Sequence, residues 1–387
     1  MFIRLGCVAQ VIAESSEVVK RNTQKLMSQD IAIKGPEGYI LAHTEEAEEE
    51  ATLRACTLAH QINCPLYLAF ISCPETARII STRKEKGHVV FGEITPAALA
   101  CNDVDYFEKD WKTAASLVTS PPIRKEHCEA LSKTLSDEGQ GLDVVGSNHA
   151  AFNSNQKALG LEDWTKIPVG ANGVEERLSV VWNQGSTVST MSPERFVAVT
   201  STNAAKIFGI YPDKGQIEVG SQADIVIWDP EAFNSVSIED QISKSDLNIF
   251  HGLTFKGKPD TIILRGRVVL DQGELKAVQG HGRLLPLSPY PTHVYQKIKE
   301  RQMYNVQPVE RSEEDMAVNG GEVPPPLPTK TIQPEKATSL HISNFDLKSH
   351  PNDLDDSEET ILKRSNRHRS SIRIKNPPGG RTSGSFW

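Results

Sequence analysis

From residue 5 to about residue 160, short apolar runs alternate with longer stretches in which apolar residues recur at helical spacing. This is the rhythm of βα units around a parallel sheet. Four runs read as strands: CVAQVIAE (7–14), CPLYLAFI (64–71), HVVFGEI (88–94) and DVVGS (143–147). Between the first two, Ala51, Leu53, Ala55, Cys56, Leu58, Ala59 and Ile62 fall near helical spacing behind an acidic first turn, which predicts a crossover helix. Pro74 to Lys86 predicts a second helix, with Gly87 as its C-terminal stop.

Past Asn148 the pattern changes. SPERFVAVTSTNAAKIFGI (192–210) predicts one helix with Ser192 as N-cap, Pro193 at the first helical position, Arg195 exposed and Gly209 at the close. YPDKGQIEVGSQADIVIWDP and DTIILRGRVVLDQGELKAV are β-rich and punctuated by Gly215, Gly220 and Gly266, with Asp271 to Gly273 reading as a hairpin turn. They predict a small antiparallel module outside the main sheet. From about Asn305 apolar residues thin out. PPPLPTK (324–330) is a polyproline stretch, DLDDSEE (353–359) an acidic run and KRSNRHRSSIRIK (363–375) a basic one, which predicts a disordered tail. The expected division is therefore 1–210, 211–304 and a tail over 305–387.

Composition supports a globular part diluted by a polar one: 38% hydrophobic residues, 6% aromatics and 23 prolines in 387 residues. A net charge of −8 argues against a general nucleic-acid binder, which needs a basic face for phosphates. No run of 18 apolar residues occurs, and Met1 to Ala13 lacks the cationic start and cleavage site of a secretory signal. The expectation is a cytoplasmic chain without membrane insertion. Six cysteines without CxxC spacing read as small buried hydrophobes in a reducing compartment.

The place just past the fourth strand holds Ser147, Asn148 and His149. In a parallel α/β protein, catalytic and metal-binding side chains stand at such strand ends. Together, FVAVTSTNAAKIFGIYP and KGQIEVGSQADIVIWDP resemble the end of an amidohydrolase barrel and its return into a small β-sandwich. With GPEGYIL, NCPLYLAF, TSPP, NQKALG and NGVEER, the resemblance from about Gly6 to Arg301 is to the dihydropyrimidinase branch. LHISNFDL, the acidic run, the Arg/Ser segment and NPPGGRTSG resemble the tail of the collapsin-response mediator proteins, the non-enzymatic neuronal relatives, and most of all invertebrate, nematode-type ones.

The resemblance implies an α/β fold: the C-terminal half of a (β/α)8 barrel, with equivalents of strands five to eight, plus part of the sandwich, as in a short isoform. It also implies homo- or hetero-oligomers. In the family two metals are held at the strand ends, where they activate water and polarise the carbonyl. The corresponding positions here are Ile12 on the fifth strand, Phe70 on the sixth and Asn148 after the eighth. Isoleucine and phenylalanine cannot ligate, and an amide has no basic lone pair near neutral pH. His149 sits one residue beyond the acid position, and His43, His60, His88 and His127 show no HxH or HxxxH spacing. A pseudoenzyme with no metal or other cofactor is expected, acting in axon outgrowth and guidance; a metal-dependent cyclic-amide hydrolase is the alternative.

The tail carries the remaining candidates. Pro325, Pro328 and Lys330 fit an SH3-ligand pattern, with a stiff linker as the plainer reading. Arg364, Arg367, Arg369, Arg373 and Lys375 could meet an acidic surface such as a tubulin tail, with Ser370 and Ser371 as phosphorylation sites that would switch the charge; a solvated tail is the other reading. The family resemblance favours the cytoskeletal partner.

Overall fold

Four parallel strands, β1 (Ala9–Ile12), β2 (Leu66–Ile71), β3 (Val90–Ile94) and β4 (Leu142–Val145), stand side by side in chain order. They occupy the four apolar runs, trimmed at their ends. The computed structural model describes residues 2–28, 33–100, 106–139 and 141–303; the tail and its candidate residues lie outside these. Parallel neighbours require crossovers, and the helices Glu45–Gln61 and Pro74–Glu85 supply the first two. The second ends before Gly87, whose φ of +78° turns the chain back toward β3.

The sheet is covered on both faces, as an all-parallel sheet requires. Leu66, Leu68, Val90 and Leu142 pack with Cys56, Ala59 and Ile80 from these two crossover helices and with Leu131 from the helix Cys128–Ser136. Tyr67, Ala69, Phe91 and Val144 point the other way and pack with Ile207, Val294, Tyr295 and Ile298. The last three belong to the helix Thr292–Met303, which closes the N-terminal ends of the strands. Its Tyr295 hydroxyl donates to the Cys7 carbonyl just before β1 at 2.9 Å, and its Arg301 guanidinium donates to Asn63 just before β2.

β4 is an edge strand of this sheet. Its Asp143 carbonyl accepts from Asn203 Nδ2 at 2.8 Å and its Val145 carbonyl from Arg177 Nη1 at 2.9 Å. Side chains thus occupy acceptors that would otherwise invite another strand. At the opposite edge, β1 leaves Gln10 and Ile12 exposed.

The segment predicted as one helix is three pieces: α-helical Pro193–Val197, π-helical Ala198–Thr202 and α-helical Asn203–Ile207. Thr200 Oγ1 bonds back to the Phe196 carbonyl at 2.6 Å, and Thr202 Oγ1 leaves the helix for Gly215 O at 2.6 Å. Hydroxyls that compete for carbonyls in this way loosen the regular ladder. Ser192 caps as expected, accepting from Arg195 N at 3.1 Å. Arg195 itself is a correction: it is buried, with Nε on Leu135 O at 2.9 Å and Nη2 on Leu142 O at 2.8 Å.

The second sheet is antiparallel, β5 (Ile225–Ser235), β6 (Thr254–Leu264), β7 (Arg267–Asp271) and β8 (Glu274–Leu275), in that order. The predicted turn joins β7 to β8 through Gln272 (φ +47°) and Gly273 (φ +86°), the paired positive φ of a two-residue hairpin. Cys56, Cys64 and Cys73 are free and buried, Cys7 is free and exposed, and Cys128 is disulfide-bonded, which corrects the expectation of reduced thiols at that position. Among the described residues no helix is long and apolar enough to cross a membrane.

Candidate functional site

The C-terminal ends of β2, β3 and β4 converge on a cavity of about 10 Å³, lined by Phe70, Ser72, Thr95, Ser147, Asn148 and Asn172 among others. That is room for about one water. The structure brings Phe70 and Asn148 to this cavity, while Ile12 ends β1 half exposed and is not in its lining. Phe70 sits where the pairing of β2 with β3 slips, between Leu68 and Ile71, and has a φ of +64°. A bulge of this kind re-aims a side chain. Here it brings the half-buried ring against the apolar cluster of Tyr67, Ala69, Phe91 and Val144.

Asn148 also has a left-handed backbone, φ +44°. His149 is exposed, and its Nδ1 accepts from Val174 N at 3.4 Å. The donor set at the strand ends is thus two hydrocarbon side chains, a neutral amide and an outward imidazole, which does not fit the two-metal chemistry expected of such strand ends. Among the described residues, the His, Cys, Asp and Glu groups whose ligand atoms approach one another are Glu45 with Glu126 and His127, and Glu45 with Glu49 and Cys73. Neither includes a strand-end candidate.

Polar networks absent from the sequence reading line the same end of the sheet. Glu14, two residues past β1, pairs through Oε1 with His43 Nδ1 at 2.8 Å, and its Oε2 accepts from the Ser120 hydroxyl. His43 stacks on Tyr39 with centroids 4.0 Å apart. Because the Ser120 hydroxyl is committed to the carboxylate and not to the imidazole, this is not the arrangement of an activated nucleophile. Beside it, the buried Glu48 carboxylate accepts from the backbone and hydroxyl of Ser72, and the buried Arg124 donates to that hydroxyl at 3.2 Å and to His43 O at 2.5 Å. Burial pushes the Glu48 carboxyl up to about 7, against the Ser72 hydrogen bonds. Lys157, also buried, is held by the carbonyls of Pro168 at 2.7 Å, Gly170 at 2.8 Å and Val118 at 3.3 Å. Burial brings its ammonium down to about 7. These groups fasten the 118–124 and 168–172 loops over the strand ends. Their chain separations hide them from local pattern; only the Ser-Pro-Pro of TSPP marked one of the loops.

Residues 29–269 match the amidohydrolase family. The chain is 43% identical to rat dihydropyrimidinase over 298 residues, 77% of this chain and 57% of that protein. It is 38% identical to rat dihydropyrimidinase-related protein 5 over 390 residues, 98% of this chain and 67% of that protein. Among solved structures it resembles a D-hydantoinase (dihydropyrimidinase) from Thermus sp., with a TM-score of 0.69 at 32% identity, covering 74% of this chain and 62% of the hydantoinase. The chain therefore spans little more than half the length of the dihydropyrimidinase it matches.

Proposed function

This chain belongs to the amidohydrolase family, within the branch of dihydropyrimidinases and dihydropyrimidinase-related proteins, and on that footing we propose that it is a non-catalytic scaffold of the collapsin-response mediator type. In this reading β1 to β4 stand for barrel strands five to eight, and Ile12, Phe70 and Asn148 occupy positions that once held metal ligands. The observation that carries the reading is Phe70: a side chain with no donor atom, at a bulge beside the strand-end cavity, turned into an apolar cluster. A second support is the reach of the similarity. The match to dihydropyrimidinase-related protein 5 extends over 98% of the chain, whereas that to dihydropyrimidinase stops at 77%.

The proposed role is axon outgrowth and guidance in the neuronal cytoplasm, through assembly with family members and binding to tubulin or other cytoskeletal proteins. The basic run from Arg364 to Lys375 would supply the charge, Ser370 and Ser371 the phosphorylation control, and Pro325, Pro328 and Lys330 an adaptor contact. The higher identity to rat dihydropyrimidinase, 43%, favours a second reading as a cyclic-amide hydrolase. Metal analysis together with dihydrouracil and hydantoin turnover on the purified chain separates the two. The scaffold reading expects neither stoichiometric metal nor turnover; finding both would replace it with the hydrolase.

A further inference from the structure

Away from the strand ends, a cavity of about 120 Å³ lies between the start of the helix Arg177–Thr187 and the segment that follows β5. That is about twelve times the strand-end cavity, room enough for a small head group. Its lining includes Glu175, Glu176 and Asp240, and no lysine or arginine. Glu176 is 4% exposed, and its Oε1 accepts from Asn248 Nδ2 at 2.7 Å. Its Oε2 is buried and has no hydrogen-bond partner among the described residues. An unmatched buried carboxylate oxygen is costly. We propose that this cavity binds a guanidinium group, with Glu176 as its principal anchor.

The other acceptors support that choice. Glu175 is already used: its two oxygens accept from Ile242 N at 2.9 Å and Ser243 N at 2.8 Å, which holds the turn bearing Asp240 in place. Asp240 is exposed at the rim and makes no hydrogen bond or ion pair among the described residues. Asn234 donates through Nδ2 to Ser179 Oγ at 3.2 Å, which leaves its Oδ1 to accept. Among the described residues these carboxylates do not form a group of three within 4.8 Å, the approach a metal chelate needs. Spread acceptors suit a planar cation with five N–H donors better than a compact ion. Burial also raises the Glu176 carboxyl above its ordinary range, and a cation beside it would oppose that shift.

Calorimetric titration of the whole chain with acetyl-Gly-Arg-Gly-amide, its citrulline counterpart and methylguanidinium tests this. Saturable binding of the arginine peptide is expected, with none for citrulline, which has the shape without the charge. Stronger binding of the peptide than of methylguanidinium would identify an arginine of a protein partner as the source; equal binding would identify a small free ligand. Glu176→Gln should weaken binding by about tenfold or more, and the rim change Asp240→Asn by about threefold. Equal binding of arginine and citrulline peptides, or none of either, overturns the proposal. So does unchanged affinity in folded Glu176→Gln or, should that variant fail to fold, in Asp240→Asn.

Discussion

Phe70 and Asn148 line one small cavity at the end of the parallel sheet, and both hold a left-handed backbone, φ +64° and +44°. Asparagine visits that region readily, whereas for a bulky residue it costs on the order of 1–2 kcal/mol. The bulge in β2 fixes the backbone there, and the apolar cluster under the ring offsets the strain.

At position 70 the usual order of glycine and alanine should therefore invert. Phe70→Ala loses ring packing and keeps the strain, so it should destabilise by about 2–3 kcal/mol, the lower end for a ring that is only half-buried. Phe70→Gly should be the more stable of the two by about 1 kcal/mol, since glycine adopts positive φ freely. Urea denaturation measures both; an alanine variant more stable than the glycine one would place the strain elsewhere.

Arg195 ties Leu135 O and Leu142 O together from inside the fold. Arg195→Ala should cost about 2–4 kcal/mol, because two buried carbonyls lose charge-assisted donors. Arg195→Lys should fall between, since an ammonium cannot reproduce the fork. Urea midpoints within experimental error of the native chain would mean the guanidinium is not buried in solution.

The contributions of Glu48 and Lys157 to stability should meet in a minimum near pH 7. The Glu48 carboxyl titrates at about 7 in the folded chain against an ordinary 4.5, so between these values the folded state binds more protons and stability falls as pH rises. The Lys157 ammonium titrates at about 7 against an ordinary 10.5, so above 7 the unfolded state binds more protons and stability rises again. Glu48→Gln should flatten the acid limb and Lys157→Met the alkaline limb, each leaving the other limb in place. Denaturation midpoints across pH 4.5 to 10.5 show whether the limbs separate in this way.

Truncation after Pro308 should leave the melting temperature of the remaining chain unchanged and reduce its sedimentation with microtubules. Replacing Ser370 and Ser371 by aspartate in the full chain should act in the same direction by setting acid beside the basic run. Undiminished sedimentation after truncation would remove the role assigned to Arg364, Arg367, Arg369, Arg373 and Lys375.

The four strands were legible because burial on both faces writes a continuous apolar run into the local sequence, and the crossover helices because their apolar spacing and stops are local too. Arg195 misled for the opposite reason: its acceptors lie 60 and 53 residues back, and a charged residue in a first turn reads as exposed unless they are known. The π-helical segment depends on Thr202 reaching Gly215, a contact no helical period contains. At the site, the hydrocarbon side chains of Ile12 and Phe70 and the neutral amide of Asn148 are plain from identity alone, but the Glu14, His43 and Ser120 network is not, since its pairs are 29 and 106 residues apart.

The most direct measurement is metal content and turnover on the same preparation: elemental analysis of the purified chain after incubation with zinc and removal of the excess, followed by assay with dihydrouracil and hydantoin. A chain whose strand ends carry Ile12, Phe70 and Asn148 should retain no stoichiometric zinc and open neither ring. Two zinc ions per chain with measurable ring opening would contradict the scaffold reading at its root.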